Sequence, residues 1–130
     1  MSMSDIRVRD IIEPKALLCS PDHANDVTIT GHATANTVGS YATISADIGS
    51  SDVFLHSITV TGITGIHQID IAVGAASSEV DYLTIGVAST GQYVIDSAQI
   101  PANSRISART SSKAGGGQTV SLFLHYKQLP

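Results

Sequence analysis

The chain has 130 residues, the size of one domain, and only 14% of them are charged, against roughly 25% in typical soluble proteins. Ser, Thr and Gly fill 40 positions, Ile (15) and Val (10) outnumber Leu (7), and Glu occurs twice. This composition disfavours a helical bundle and favours strands. The hydrophobic content of 42% argues against a disordered chain, because it can supply a core. The net charge of −4 argues against nucleic-acid binding, because phosphate contacts need a basic surface.

The first predicted element, residues 1–26, differs in composition from the rest of the chain. It holds eight of the 18 charged residues, and Pro14 and Pro21 interrupt it before a long helix can form. We therefore predict an extended N-terminal arm or edge strand over residues 1–26, followed by one β-sandwich domain over residues 27–130. Its polar start predicts no signal peptide, and no apolar run approaches the ~18 residues of a membrane span. The single cysteine, Cys19, allows no intrachain disulfide and no cysteine-based zinc site.

From residue 27 onward, apolar and polar residues alternate with a period of two, which predicts strands with one buried face. The predicted strands are 27–30, 42–48, 53–60, 68–73, 82–87, 93–95, 105–109 and 119–126. Hairpin turns are expected at 89–92 and 114–118. These features predict an all-β, antiparallel two-sheet sandwich of the jelly-roll type with about eight strands. An immunoglobulin-like sandwich is the alternative, although the chain lacks the Trp and the Cys pair of that family.

Two of these strands carry expectations about single side chains. In the strand 53–60, Phe54 is expected to share one face with Ile58 and Val60. In the last strand, Phe123 alternates with its two leucine neighbours, so it is expected on the opposite, exposed face. Asp70 is expected on the outer face of its strand as a solvated carboxylate.

Groups with catalytic or metal-binding chemistry are scattered along the chain. None of the five His residues lies in a His-x-His or His-x-x-x-His pair, and no Gly-x-Ser-x-Gly motif is present. A small hydrolase or lyase would have to assemble its His and acidic groups across strands. We therefore expect no enzymatic activity, no cofactor and no metal.

The strongest polar constellation consists of Arg105 and Arg109, which lie four residues apart on one face of a strand. Two interpretations are open. The two side chains could bind an acidic partner, a neighbouring subunit or a glycan, or they could pair with Asp or Glu residues of the same chain.

Three segments of the second half carry a recognisable pattern. Residues 69–79 are Ile-Asp-Ile-Ala-Val-Gly-Ala-Ala-Ser-Ser-Glu, residues 100–109 are Ile-Pro-Ala-Asn-Ser-Arg-Ile-Ser-Ala-Arg, and residues 120–126 are Val-Ser-Leu-Phe-Leu-His-Tyr. Over about residues 40–126 the chain resembles small β-sandwich modules of tailed-phage virion proteins, in which a strand ends in a Gly-Ala-Ala-Ser-Glu-like turn and a Pro-Ala-Gly-Ser-Arg-Ile turn precedes the penultimate strand. Asn103 stands where that pattern has Gly, and Asn also tolerates a positive φ.

The resemblance implies a virion component, without distinguishing head, tail or fibre. A rigid β body, sheet edges that can add a strand, and a charged arm suit a non-enzymatic capsid decoration (cement) protein, which binds the head surface and stabilises the shell. Its expected partners are the major capsid protein or other virion subunits and further copies of itself. The alternative is a tail or fibre module that recognises a host glycan or receptor with exposed aromatic rings. The expected partner-binding residues are Arg7, Arg9, Ile11 and Ile12 in the arm, with Arg105 and Arg109 as weaker candidates.

Overall fold

The computed structural model of the chain describes residues 18–20 and 26–128. Within this part of the chain all regular elements are strands, and no helix occurs. The strands are β1 (Leu18–Ser20), β2 (Val27–Thr30), β3 (Ala42–Ser45), β4 (Val53–Ile63), β5 (His67–Val73), β6 (Val80–Val87), β7 (Gly91–Ile100), β8 (Ile106–Ser112) and β9 (Thr119–Gln128). Strands β2 to β9 overlap the eight predicted strands, so the predicted all-β class is confirmed.

The strands from β2 to β9 pair as one long antiparallel ribbon. From its ends inward, β2 pairs with β9, β3 with β8, β4 with β7 and β5 with β6. The ribbon is rolled so that β9 also pairs with β4, and β8 with β5. The first sheet therefore has the order β2-β9-β4-β7, and the second sheet has the order β3-β8-β5-β6. This arrangement is the predicted jelly roll and not the immunoglobulin-like alternative.

Strand β1 lies inside the segment predicted as an arm, and it pairs antiparallel with β9, with Cys19 opposite His125. Because β4 occupies the other edge of β9, β1 and β2 share one edge of that strand, at successive positions along it. Residues 1–17 and 21–25 of the predicted arm lie outside the described residues. The same is true of the predicted contact residues Arg7, Arg9, Ile11 and Ile12.

The core lies between the inner faces of the two sheets and consists of β-branched residues and leucines at alternate strand positions. In β4, however, Leu55 and Ile58 are both fully buried, although they are three residues apart. The pairing of β4 shifts register between Leu55 and Ser57, and this bulge changes the phase of the alternation. The prediction that Phe54 shares the core face with Ile58 and Val60 is therefore wrong, and Phe54 is half-buried. The fully buried apolar side chains include Ile29, Leu55, Ile58, Ile69, Ile71, Ile100, Ile106, Leu122 and Leu124.

The prediction that Phe123 is exposed is also wrong. The residue is only 6% exposed, and its ring packs edge-on against His125, with ring centroids 5.1 Å apart. Alternation assigns a side chain to one face of a sheet, but it does not tell whether that face is open to solvent.

The turns before and after β8 depend on backbone with positive φ. Asn103, in the turn before β8, has a φ of 61°, so an asparagine occupies the left-handed conformation that the resembling pattern fills with glycine. Gly115, Gly116 and Gly117 between β8 and β9 have φ values of 72°, 79° and 68°. A side chain at these glycines would strain the connection. Strands β8 and β9 lie in different sheets, and so do β6 and β7. The prediction of hairpin turns at 114–118 and 89–92 is therefore wrong, because each of these turns leads from one sheet to the other.

Candidate functional site

The outer face of the second sheet carries two groups of bonded polar side chains, one around Arg109 and one around Arg105. Together we call them the arginine network: Tyr41, Thr43, Asp70, Glu79, Asp81, Thr84, Arg105 and Arg109. Strand β8 presents Arg109 outward because its neighbour Ala108 is buried in the core. In the strand register Arg109 lies opposite Asp70 of β5, and Asp70 lies opposite Thr84 of β6. Opposite charges on directly facing residues of neighbouring strands are a favourable cross-strand pair.

Arg109 is the centre of this network. Its Nε donates a hydrogen bond to Oδ2 of Asp70 at 3.0 Å, and its Nη2 donates to Oδ2 of Asp81 at 2.8 Å. The guanidinium lies over the ring of Tyr41, 4.6 Å from its centroid, which is a cation–π contact. One side chain thus connects two carboxylates and an aromatic ring from three different segments.

Asp70 is covered, and the prediction of a solvated carboxylate at this position is wrong. It does face outward from its strand, but the residue is only 6% exposed. Its Oδ1 accepts a hydrogen bond from Oγ1 of Thr84 at 2.8 Å, while Oδ2 is bound by Arg109. A buried carboxylate needs such partners, because desolvation of an unpaired charge is costly.

Tyr41 completes the network through its hydroxyl, which donates to Oδ1 of Asp81 at 2.6 Å. Partial burial and this hydrogen bond raise the pKa of Tyr41 to about 12. Burial alone would lower the pKa of Arg109, but the hydrogen bond to Asp70 and the charge of Asp81 raise it. At neutral pH Tyr41 therefore stays protonated and Arg109 stays charged.

Arg105 forms a separate brace between two turns. Its Nη1 donates to Oε2 of Glu79 at 3.3 Å and to the carbonyl oxygen of Gly74 at 3.2 Å. Its Nε and Nη2 donate to Oγ1 of Thr43 at 3.1 Å and 2.9 Å, and the amide of Gly74 donates to the Arg105 carbonyl at 3.0 Å. The pKa of Glu79 is lowered by its backbone hydrogen bonds, against the opposing effect of burial, and by Arg105.

The arrangement answers the question that the sequence left open for these two arginines: both pair within the chain. Between them on β8 lies Ser107, which is completely buried and whose hydroxyl has no hydrogen-bond partner among the described residues. The side chains of Arg105 and Arg109 remain 18% and 26% exposed. Their chemistry is that of a structural brace, and a contact with a partner stays a prediction.

The histidines of the strands serve structural hydrogen bonds. His67 is buried, with Nδ1 3.0 Å from Oγ1 of Thr110 and Nε2 2.9 Å from the carbonyl oxygen of Thr64. His56 Nδ1 lies 2.9 Å from the hydroxyl of Ser57, but Ser57 is completely buried, so this hydroxyl cannot meet a substrate. Among residues 18–20 and 26–128, no three His, Cys, Asp or Glu side chains are grouped so that they could hold a metal ion.

A shallow cleft of about 590 Å³ opens beside Tyr41, between the end of β2 and the segment that leads into β3. Its one histidine, His32, accepts a hydrogen bond at Nδ1 from the amide of Thr34 at 2.9 Å. All six aromatic residues (Phe, Tyr and Trp) lie in the described part of the chain, and Tyr82 is the one that is exposed, at 43% of the residue. The aromatic platform expected of a glycan-binding module is therefore limited to that ring.

We expect the alkaline titration of the protein to contain a tyrosine component near pH 12 that belongs to Tyr41. Tyr41 has a folded-state pKa above its ordinary value of 10.0. Partial burial of the phenol and its hydrogen bond to Asp81 therefore favour the folded state fully below pH 10, and this contribution is lost as the pH rises through about 12. The ultraviolet absorbance of tyrosinate measures this titration. Tyr41→Phe should remove the component, whereas an unchanged curve in Tyr41→Phe would contradict the assignment.

Among the described residues there is no helix long and apolar enough to cross a membrane. Comparison of the chain with models of known protein families, with curated proteins and with solved structures gives no match.

Proposed function

We propose that this chain is a non-enzymatic structural protein of a tailed-phage virion and that it decorates the head by binding to the surface of the shell. The observation that carries the proposal is the brace made by Arg105. Residues 74–79 and 101–104 form the two turns on which the resemblance to phage virion modules rests, and Arg105 with Gly74 and Glu79 binds these turns to each other. The two turns of the sequence pattern, which are far apart in the chain, are therefore in direct contact in the fold.

The distribution of charge supports different roles for the β-sandwich body and for the N-terminal arm, residues 1–26. In the body, Arg105 and Arg109 are bound to Glu79, Asp70 and Asp81, so their charges join strands and turns of the second sheet. Residues 1–26 contain eight of the 18 charged residues of the chain. A decoration protein needs a rigid body and a segment that contacts neighbouring subunits, and a lattice of many copies strengthens modest single contacts. We assign the contact to the arm, through Arg7, Arg9, Ile11 and Ile12.

A cosedimentation experiment tests this proposal with heads of the phage whose genome encodes the chain. The full chain should pellet with the heads, and a variant that lacks residues 1–17 should bind at least about tenfold more weakly, which corresponds to about 1.4 kcal/mol. This truncation leaves β1 (Leu18–Ser20) in place on β9. Circular dichroism and thermal unfolding of the truncated variant should match those of the full chain.

Charge reversal provides a matched comparison. The double variant Arg7→Glu, Arg9→Glu should weaken head binding, while the double variant Lys113→Glu, Lys127→Glu, which makes the same change of charge on the body, should not. Equal binding by the truncated chain would contradict the role of the arm. Failure of the full chain to bind heads would overturn the decoration function, and a hit on a glycan array would then favour the tail or fibre alternative.

A further inference from the structure

Strand β6 (Val80–Val87) forms one edge of the second sheet, and among the described residues no strand pairs with its outer side. It is eight residues long, whereas β3 at the other edge of this sheet has four residues and an irregular register. Natural proteins protect long edge strands with Lys, Pro, bulges or a covering segment, because the unpaired N–H and C=O groups of an edge accept a further strand.

Over residues 83–87, β6 carries no such protection of its own. The segment contains neither a charged residue nor proline, and it pairs with β5 without interruption. The pairing of β6 with β5 shifts register just before this segment, where Tyr82 has no partner residue in β5. This β-bulge at Tyr82 is the point from which β6 continues as a regular edge strand. The edge strand of the first sheet, β7, differs because a register shift interrupts its pairing with β4 in the middle.

The side chains of residues 83–87 also favour an additional strand. Leu83 and Ile85 pack against the core but are only partly buried, because β6 is the last strand on its side. On the outer face, Gly86 borders open space, since a Cβ at this position would meet no atom within 4 Å. Next to the segment, Val80 and Tyr82 are 61% and 43% exposed.

We propose that two copies of this chain associate through β6, which pairs antiparallel with β6 of the second copy about a two-fold axis at Ile85. In this register Ile85 faces Ile85, Leu83 faces Val87 of the second copy, and Thr84 faces Gly86. The partly buried apolar side chains become covered, and the two second sheets join into one. The proposal does not depend on the proposed function.

Electrostatics favours a second copy at this edge. The chain has a net charge of −4, so two copies repel each other on average, and an uncharged contact avoids this repulsion. Residues 83–87 have no charge, and the nearby carboxylate of Asp81 is bound by Arg109 and Tyr41. Like charges that face each other across two strands destabilise the pair. The proposed register of β6 with β6 of the second copy places no like charges opposite each other.

Analytical ultracentrifugation of the full chain tests the association. The wild type should sediment as a dimer at twice the chain mass of 13.5 kDa, in equilibrium with monomer. Gly86→Glu adds a charge where the fold has open space, and it should weaken the dimer roughly tenfold or more. Gln128→Glu adds the same charge at the exposed end of β9 in the first sheet and should leave the dimer unchanged. A wild type that stays monomeric from micromolar to submillimolar concentration, or a dimer that is indifferent to Gly86→Glu, would overturn the proposal.

Cross-linking tests the register. Directly opposite residues of antiparallel strands have Cα atoms about 4.5–5.5 Å apart, which lies within the range that a disulfide accepts. In a Cys19→Ser background, Ile85→Cys should therefore form a covalent dimer on mild oxidation, while Thr90→Cys should form much less. Equal cross-linking by the two variants would contradict the two-fold axis at Ile85.

Discussion

Replacing Gly39 with alanine is expected to destabilise the protein by about 3 kcal/mol, as for strong overpacking in a tightly packed site. A Cβ at Gly39 would overlap the carbonyl oxygen of Thr30. This neighbour is backbone and cannot rotate away. The amide of Gly39 also donates to the carbonyl of Thr110 at 2.9 Å, so relief of the overlap by a shift of the chain would weaken this bond.

Chemical denaturation of the variant, followed by circular dichroism or tyrosine fluorescence since the chain has no Trp, measures this effect. Gly62→Ala is the matched control. Gly62 also lies at a position of ordinary φ, and a Cβ there would meet Ser121 Cβ at 3.7 Å, an ordinary contact. We expect the control to change the free energy of unfolding by less than about 0.5 kcal/mol. Equal stability of the two variants would show that the segment before β3 adjusts freely.

Removal of the Arg109 side chain is expected to cost about 2–3 kcal/mol of unfolding free energy. Breaking a fully buried ion pair costs about 3–5 kcal/mol, and the guanidinium here is partly exposed, at 26%, so solvent screens part of the interaction. Arg109→Ala leaves the covered carboxylate of Asp70 with the hydroxyl of Thr84 as its remaining side-chain donor. It also removes the cation–π contact with Tyr41.

A double-mutant cycle separates the ion pair from the loss of packing. Arg109→Ala and Asp70→Ala should be coupled by more than about 1 kcal/mol, because each removes the partner of the other. Arg109→Lys should restore part of the stability, since it keeps the charge but cannot bind two carboxylates in the same planar geometry. Lys113→Ala, which removes an exposed cation, should stay within about 0.5 kcal/mol of the wild type. Additive losses in the cycle would mean that the pair is not coupled.

The candidate site was predicted from the sequence only in part, and Arg105 and Arg109 show where the limit lies. Their spacing placed them on one face of a strand, because that depends only on the local period of two. Their partners could not be assigned. Asp81 lies 28 residues before Arg109, and Glu79 lies 26 residues before Arg105. The pairing of β8, β5 and β6 brings these groups together.

The burial of Asp70 and Phe123 has a similar explanation. Both were assigned to outward positions by alternation, and both are covered. Coverage depends on which other segments lie over a sheet face, and this is not a property of the strand itself. The bulge in β4 likewise arises from the pairing of β4 with β7 and β9, so alternation within residues 53–60 could not place Phe54 correctly.

By itself, the sequence determined the all-β class, the position of the eight strands from β2 to β9, and the turns that require Gly or Asn. These are consequences of side-chain period and of backbone φ preferences, and both act between residues close in the chain. Only the tertiary structure decided the order of the strands in the two sheets, the ion pairs of the arginine network and the open edge of β6. These features depend on contacts between segments far apart in the chain, which form only when the ribbon of strands is rolled into a sandwich.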